Sequence, residues 1–362
     1  MHRDILATLE KGDFILGNKV YKLEEKLANY ANIKECVTCA SGTDALLIPL
    51  MAYGIGGPKD AIFTTNFSFF STAEVISLVK ANPVFVDINP ITFNICPESL
   101  ELNIKRTLKE DKLIPKAIIA VDLFGQLADY EAIQKIAKKY NLILIEDAAQ
   151  SFGASYKSQN SCSFGDVAAT SFYPSKPLGC YGDGGAIFTN DTKMANIFRS
   201  IRVHGQGKNK YDNIRIGLNS RLDTIQADVL LNKLQIFDDE LDKRNSIADI
   251  YLKNINRSLI KPFIKKENYS SWAQYSLLAS SEKERNNLTK YLNKNNIPTA
   301  IFYKKPFSSL SLYKEFSNDK FPISEKISKQ IFSIPMHPYL SNKNIDKIVN
   351  TIDDYFNKSN SL

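Results

Sequence analysis

Lys176 lies in the run SFYPSKPLG (Ser171 to Gly179), and Asp147 closes the apolar run LILIED (Leu142 to Asp147). A lysine amine can condense with an aldehyde, and a carboxylate can keep a pyridine nitrogen protonated, so this pair could operate an electron sink of the pyridoxal phosphate kind. The apolar run reads as a strand, which places Asp147 at a carboxyl end, where open α/β sheets gather ligands. Helix capping is its alternative reading. Side chains alternate along a strand, so the adjacent Glu146 points to the other face and Asp147 is the better candidate.

The remaining groups are weighed against that pair. Gln150 follows Asp147 by about one helical turn, and its amide could reach a phenolic oxygen on the same ring. A phosphate would need backbone N–H groups at the start of a helix, and ASGTDALL (Ala40 to Leu47) offers them at Gly42 and Thr43. An ordinary helix start capped by Thr43 or Asp44 explains the same residues equally well. Ser171 adds a second hydroxyl. Lys176 must lose its charge to act as a nucleophile, so an apolar and partly cationic setting is expected among Phe172, Tyr173, Pro174, Pro177 and Leu178. GDGGA (Gly182 to Ala186) permits close backbone approach. Phe69 or Phe70 could stack on a ring, and periodicity does not choose between them. His204 in RVHGQG reads as loop packing in preference to substrate contact.

The elements that must position these groups follow from hydrophobic patterning. From about residue 40 to 190, short apolar runs (ECVTCA, DAIFTT, NPVFVDI, PKAIIAVDLF, LILIEDA, VAATSFYP, GGAIFTN) alternate with amphipathic segments. That pattern predicts βα units and a mostly parallel, helix-covered sheet. TIQADVLLNKLQIFDDELDKRNSIADIYLKNI predicts one long helix linking two domains, and later segments predict a smaller α+β unit. With 362 residues, the expected division is a large α/β domain over 1–235 and a small one over 236–362. KSNSL at the end reads as a disordered tail.

Composition is that of an ordinary globular protein, 44% hydrophobic and 23% charged. No apolar run is long enough to span a membrane and MHRDILATLEKGD lacks a signal-peptide core, so a cytoplasmic location is expected. The net charge of +7 comes from dispersed lysines, which fits a solvated surface and small anionic substrates better than nucleic acid. Five cysteines form no secreted framework. Cys36 and Cys39 have C-x-x-C spacing without a second ligand pair, so buried thiols and no metal are expected.

Taken together, these residues resemble the DegT/DnrJ/EryC1/StrS family of PLP-dependent sugar-nucleotide aminotransferases. The resemblance runs from about residue 5 to 352 through FILGNKVYKLEEKLA, CASGTDALL, NFSFFSTAEVI, IEDAAQSFGA, TSFYPSKPLGCYGDGGAIFT, GLNSRLDTIQADVL and MHPYL. It implies fold type I, the aspartate aminotransferase-like architecture. It also implies Lys176 as the cofactor-bearing lysine and proton carrier, Asp147 on the ring nitrogen and Gln150 on the phenolic oxygen. Gly42, Thr43 and Ser171 would bind phosphate, and Phe69 would stack. Asn219 would reach the neighbouring subunit's cofactor phosphate and Arg221 the substrate, so a homodimer with shared active sites is implied.

SKPLGCYGDGGA, RVHGQG and GLNSRLDTIQA are most similar to enzymes that aminate C3 of a UDP-linked 2-acetamido-3-oxo-glucuronate with L-glutamate as donor. Where such relatives carry a His-Tyr pair for the sugar nucleotide, TAIFYKKP has Phe302 in place of histidine and keeps Tyr303. A C4 aminotransferase of 4-keto-6-deoxy sugars is the nearest alternative. Dehydratase relatives exchange the lysine for histidine, unlike this chain. A non-catalytic sugar-nucleotide sensor would not need the full set of Lys176, Asp147, Gln150, Ser171 and Asn219, and a nicotinamide enzyme would need a glycine fingerprint that ASGTDA lacks.

Overall fold

The computed structural model describes residues 1–209, 211–316 and 320–359. Helices α1 (His2–Lys11) and α2 (Asn18–Ala31) precede the alternating region, which runs β1 (Glu35–Cys39), α3 (Gly42–Ala52), β2 (Asp60–Thr65), α4 (Ser71–Leu78), β3 (Asn82–Val86), α5 (Pro97–Glu110), β4 (Ile114–Val121), α6 (Tyr130–Tyr140) and β5 (Ile143–Asp147). Two short strands, β6 (Ser155–Tyr156) and β7 (Gln159–Asn160), lead into β8 (Val167–Ser171), β9 (Gly185–Thr189), α7 (Thr192–Ile201) and α8 (Thr224–Leu234). The rest is α9 (Phe237–Asn254), β10 (Asn268–Tyr269), β11 (Tyr275–Leu278), α10 (Glu282–Lys294), α11 (Pro322–Gln330), β12 (Ile331–Ile334) and α12 (Asn342–Ser359).

The central sheet has seven strands in the order β1-β9-β8-β5-β4-β2-β3. Only β9 runs against its neighbours β1 and β8; the other pairings are parallel. Helices cover both faces, which is why the strands read as continuous apolar runs. Ile119 and Ile145 face a cluster with Leu46 and Phe198, while their neighbours Ile118 and Leu144 face one with Ile104 and Ile133. This is the mostly parallel α/β sheet expected from the sequence.

The predicted long helix is two helices. Gln235 keeps helical dihedrals, but Ile236 leaves them at φ −116° and ψ 8°, and the turn lets Leu230, Leu231 and Phe237 enter one core with Leu27 and Phe152. Beyond it, the antiparallel pair β11 and β12 packs with α9, α10 and α12 around Tyr251, Trp272, Tyr275, Leu288, Phe332 and Ile348. α12 continues to Ser359, so Lys358 and Ser359 of KSNSL are helical, and residues 360–362 lie outside the described residues. Among the described residues no helix is long and apolar enough to cross a membrane.

Candidate active site

Parallel pairing aligns Val121, Asp147 and Ala169, so the turns after β4, β5 and β8 open at one end of the sheet. Asp147 is buried. Burial pushes its carboxyl above the ordinary range, opposed by a hydrogen bond from Thr72 Oγ1 (2.9 Å), the charge of Lys176, and the Ala149 N–H (3.2 Å). Burial likewise pulls the Lys176 amine down, and Asp147 draws it back up. Each therefore supports the other's ionised form while the site favours neutrality. The charge acting on Lys176 is an anion, not the cationic setting expected from the sequence.

Gln150 is buried and its amide is oriented. Its Oε1 accepts the Phe124 N–H (2.9 Å), and its Nε2 donates to the Tyr303 hydroxyl (3.2 Å). Tyr303 thus comes from more than 150 positions away in sequence to Gln150. Its hydroxyl is pushed well up by burial, and its ring meets Phe67 edge-on at 5.8 Å. Phe302 is half-buried beside it, rings 5.8 Å apart.

Gly42 opens α3, and the cap is Ser41, whose Oγ accepts the Asp44 N–H (3.1 Å). Neither Thr43 nor Asp44 is the cap, because Ser41 holds the extended backbone that a cap requires. Thr43 is left to donate to Ser71 Oγ at the start of α4 (3.1 Å). Gly42 also abuts the end of β8 so closely that an added Cβ would stand 2.6 Å from Ser171 Cβ. Two helix N-termini and the Ser171 hydroxyl thus converge, an arrangement suited to an anion.

The structure separates the two phenylalanines. Phe70 packs against Tyr313, rings 6.0 Å apart, whereas Phe69 is 55% exposed, on the segment that brings Thr72 to Asp147. In GLNSR, Ser220 Oγ donates to Asp44 Oδ2 (2.6 Å) and accepts from the Ala40 N–H (3.2 Å). Asn219 is exposed and Arg221 half-buried. His204 sits at φ 56° with its side chain exposed, so it does not pack within its loop as expected. Cys36 and Cys39 are buried in β1, where burial raises both thiols.

Three contributors escaped the sequence reading: Thr72, Ser71 and the Phe124 backbone. Thr72 and Ser71 carry a usable signal, hydroxyls in the first turn of a helix after a strand; a lone backbone N–H carries none.

A mostly parallel α/β sheet with a desolvated lysine facing a buried carboxylate, beside an oriented amide and a helix-start anion cradle, defines a fold type I pyridoxal phosphate enzyme. The chain belongs to the DegT/DnrJ/EryC1/StrS aminotransferase family, whose profile matches residues 1–353. It is 46% identical to the UDP-2-acetamido-2-deoxy-3-oxo-D-glucuronate aminotransferase of Pseudomonas aeruginosa, covering 94% of this chain and 92% of that one. It is 40% identical to a pleiotropic regulatory protein of Geobacillus stearothermophilus, covering 95% and 91%. A crystal structure of a DegT/DnrJ/EryC1/StrS aminotransferase from Brucella abortus superposes with a TM-score of 0.95 at 47% identity, covering 98% and 94%. The chain is accordingly a PLP-dependent sugar aminotransferase. The cofactor suits the groups present: a carboxylate for its ring nitrogen, an oriented amide whose Nε2 carries a second N–H besides the one given to Tyr303, and a glycine whose missing Cβ keeps the cradle open.

Proposed function

We propose that this enzyme transfers the amino group of L-glutamate to C3 of a UDP-linked 2-acetamido-3-oxo-glucuronate, for surface polysaccharide or related glycan synthesis. The observation that carries the chemistry is the desolvated Lys176 facing Asp147; the similarity to the Pseudomonas aeruginosa enzyme supports the sugar. Bound pyridoxal phosphate supplies an aldehyde and an electron-withdrawing ring.

In this reading Lys176 Nζ, eased toward neutrality by burial, holds the aldehyde at rest and later carries a proton away from the glutamate α-carbon. Asp147, whose anionic form Thr72 and Lys176 favour against burial, holds the proton at the ring nitrogen. Gln150 donates its amide N–H to the phenolic oxygen. Gly42, Thr43 and Ser171 bind the phosphate, and Phe69 covers the ring. Arg221, Tyr303 and Phe302 contact the sugar nucleotide, and Asn219 serves the neighbouring subunit's cofactor, so the working unit is a homodimer with shared sites. The exposed position of Asn219 agrees with a role across an interface. We further propose a division into domains at 1–235 and 236–362, and a cytoplasmic location, supported by five free cysteines.

Phe302 in place of histidine removes one expected sugar contact, which leaves one competing reading, amination at C4 of a 4-keto-6-deoxy sugar. Incubating the enzyme with glutamate and each keto-sugar nucleotide, then locating the new amine by NMR, decides between them. Amine at C3 of the glucuronate supports the proposal, amine at C4 of the deoxy sugar replaces it, and failure of both with PLP bound supports a sensor.

A further inference from the structure

Directly behind Asp147 and Gln150 lies a pair of carboxyl groups that the proposed chemistry leaves unused. Glu146 and Asp122 are each fully buried. Glu146 points to the face of β5 opposite Asp147, its Oε1 accepting the Cys162 N–H (2.6 Å) and its Oε2 the Phe164 N–H (2.8 Å). Asp122 follows the last residue of β4 and its N–H donates to the Asp147 carbonyl (3.1 Å). Its Oδ1 accepts from the Ala128 N–H and the Tyr130 hydroxyl, both 2.9 Å, and its Oδ2 from the Ser151 hydroxyl (2.8 Å). Ala120 pairs with Glu146 across the parallel ladder, so Asp122, two residues further along, lies on the same face of the sheet as Glu146 and one strand away.

The titratable groups facing the pair are Tyr130 from α6 and Cys162 from the segment before β8, and Asp147 lies on the opposite face of β5. No lysine, arginine or histidine among the described residues forms an ion pair with either carboxyl. Two like charges on one face of neighbouring strands, buried and without a cation, do not both ionise. We propose that Asp122 and Glu146 hold one proton between them and serve as a positioning pair for Asp147 and Gln150.

The donors indicate where that proton sits. Both Glu146 oxygens take backbone N–H groups, which cannot turn round. Asp122 Oδ2 has only a hydroxyl as its other donor, and a hydroxyl can turn to accept. The shared proton therefore belongs on Asp122 Oδ2. Burial raises the affinity of each carboxyl for a proton.

The positioning follows from what the pair joins. Asp122 ties the end of β4 to Ser151, the residue after Gln150, and stands next to the Leu123–Gly125 turn whose Phe124 N–H orients the Gln150 amide. Glu146 ties the residue before Asp147 to the segment leading into β8. Sharing a proton also leaves the pair with one negative charge, which lets Asp147 stay ionised beside it.

The positioning role rests on the proposed parts played by Asp147 and Gln150; the shared proton does not, and the two are tested separately. Infrared spectra of apoprotein at neutral pH, where ordinary carboxyls are ionised, should show a protonated buried carboxyl. It should persist in Asp147→Asn and vanish in Asp122→Asn. Absence from the wild type, or survival in Asp122→Asn, overturns the shared proton. For positioning, PLP titration of apoprotein should show Asp122→Ala weakening affinity by at least about tenfold. Asp122→Asn, whose amide supplies the missing donor, should restore it to within about threefold, whereas Glu146→Gln should not, because its amide would confront a backbone N–H. Equal loss in the Asn and Ala variants, or wild-type affinity in Glu146→Gln, overturns the positioning role.

Discussion

Replacing Gly42 with alanine tests the anion cradle. The added Cβ would stand 2.6 Å from Ser171 Cβ and 3.0 Å from Ser171 Oγ, whereas carbon atoms rest at about 3.5–4.0 Å. Roughly 1 Å must come from parting the start of α3 from the end of β8. Overpacking of this kind costs about 1–3 kcal/mol. Removing a helical glycine returns about 1 kcal/mol, and Gly42 is not among the positive-φ residues that would strain alanine. The apoprotein should therefore lose about 0–2 kcal/mol, read from denaturant unfolding. Cofactor binding should suffer more, because the same shift separates the α3 N–H groups from the Ser171 hydroxyl. Misaligning one charge-assisted hydrogen bond costs about 1.5–3 kcal/mol, so the PLP Kd should rise about 10- to 100-fold. A Kd within twofold of wild type, measured by absorbance titration of apoprotein, would refute the placement of the phosphate here.

Three further outcomes follow. Burial raises the folded-state pKa of Asp147, so its contribution to apoprotein stability is complete below about pH 4, its ordinary value, and is lost as pH rises through the raised value, by up to about 1.4 kcal/mol per unit; unfolding of Asp147→Asn should show a flatter pH slope than wild type, and parallel slopes would contradict this. Mixing inactive Lys176→Ala with inactive Arg221→Ala and allowing subunits to exchange should recover up to about a quarter of wild-type activity if Arg221 serves the partner's site; a mixture that stays dead places Lys176 and Arg221 in the same site. Phe302→His restores a donor that phenylalanine lacks and should raise kcat/KM for the 3-oxo-glucuronate nucleotide about tenfold, whereas an unchanged or lower value would remove Phe302 from the sugar contacts.

The strand-borne part of the site was legible in the sequence. LILIED announced a buried strand, and alternation alone assigned Asp147 and Glu146 to opposite faces, as the structure has them. Gly42 and Ser171 could be named as candidates, but their mutual contact depends on β8 and α3 meeting in space. Phe69 and Phe70 were indistinguishable by type, and only the packing of Phe70 on Tyr313 separates them. The break between α8 and α9 left no trace because no glycine or proline marks it; burial of Phe237 decides it. Contacts such as Tyr303 to Gln150 or Phe124 to Gln150 join distant segments or use backbone atoms, and neither leaves a local pattern.

The most direct test of the central claim is the glutamate half-reaction. PLP-loaded enzyme should be yellow, and L-glutamate should shift its absorbance to the pyridoxamine form with release of 2-oxoglutarate equal to the cofactor present; Lys176→Ala should bind PLP loosely and give no shift. An enzyme that neither colours with PLP nor responds to glutamate, or a Lys176→Ala variant that reacts at the wild-type rate, would contradict the account.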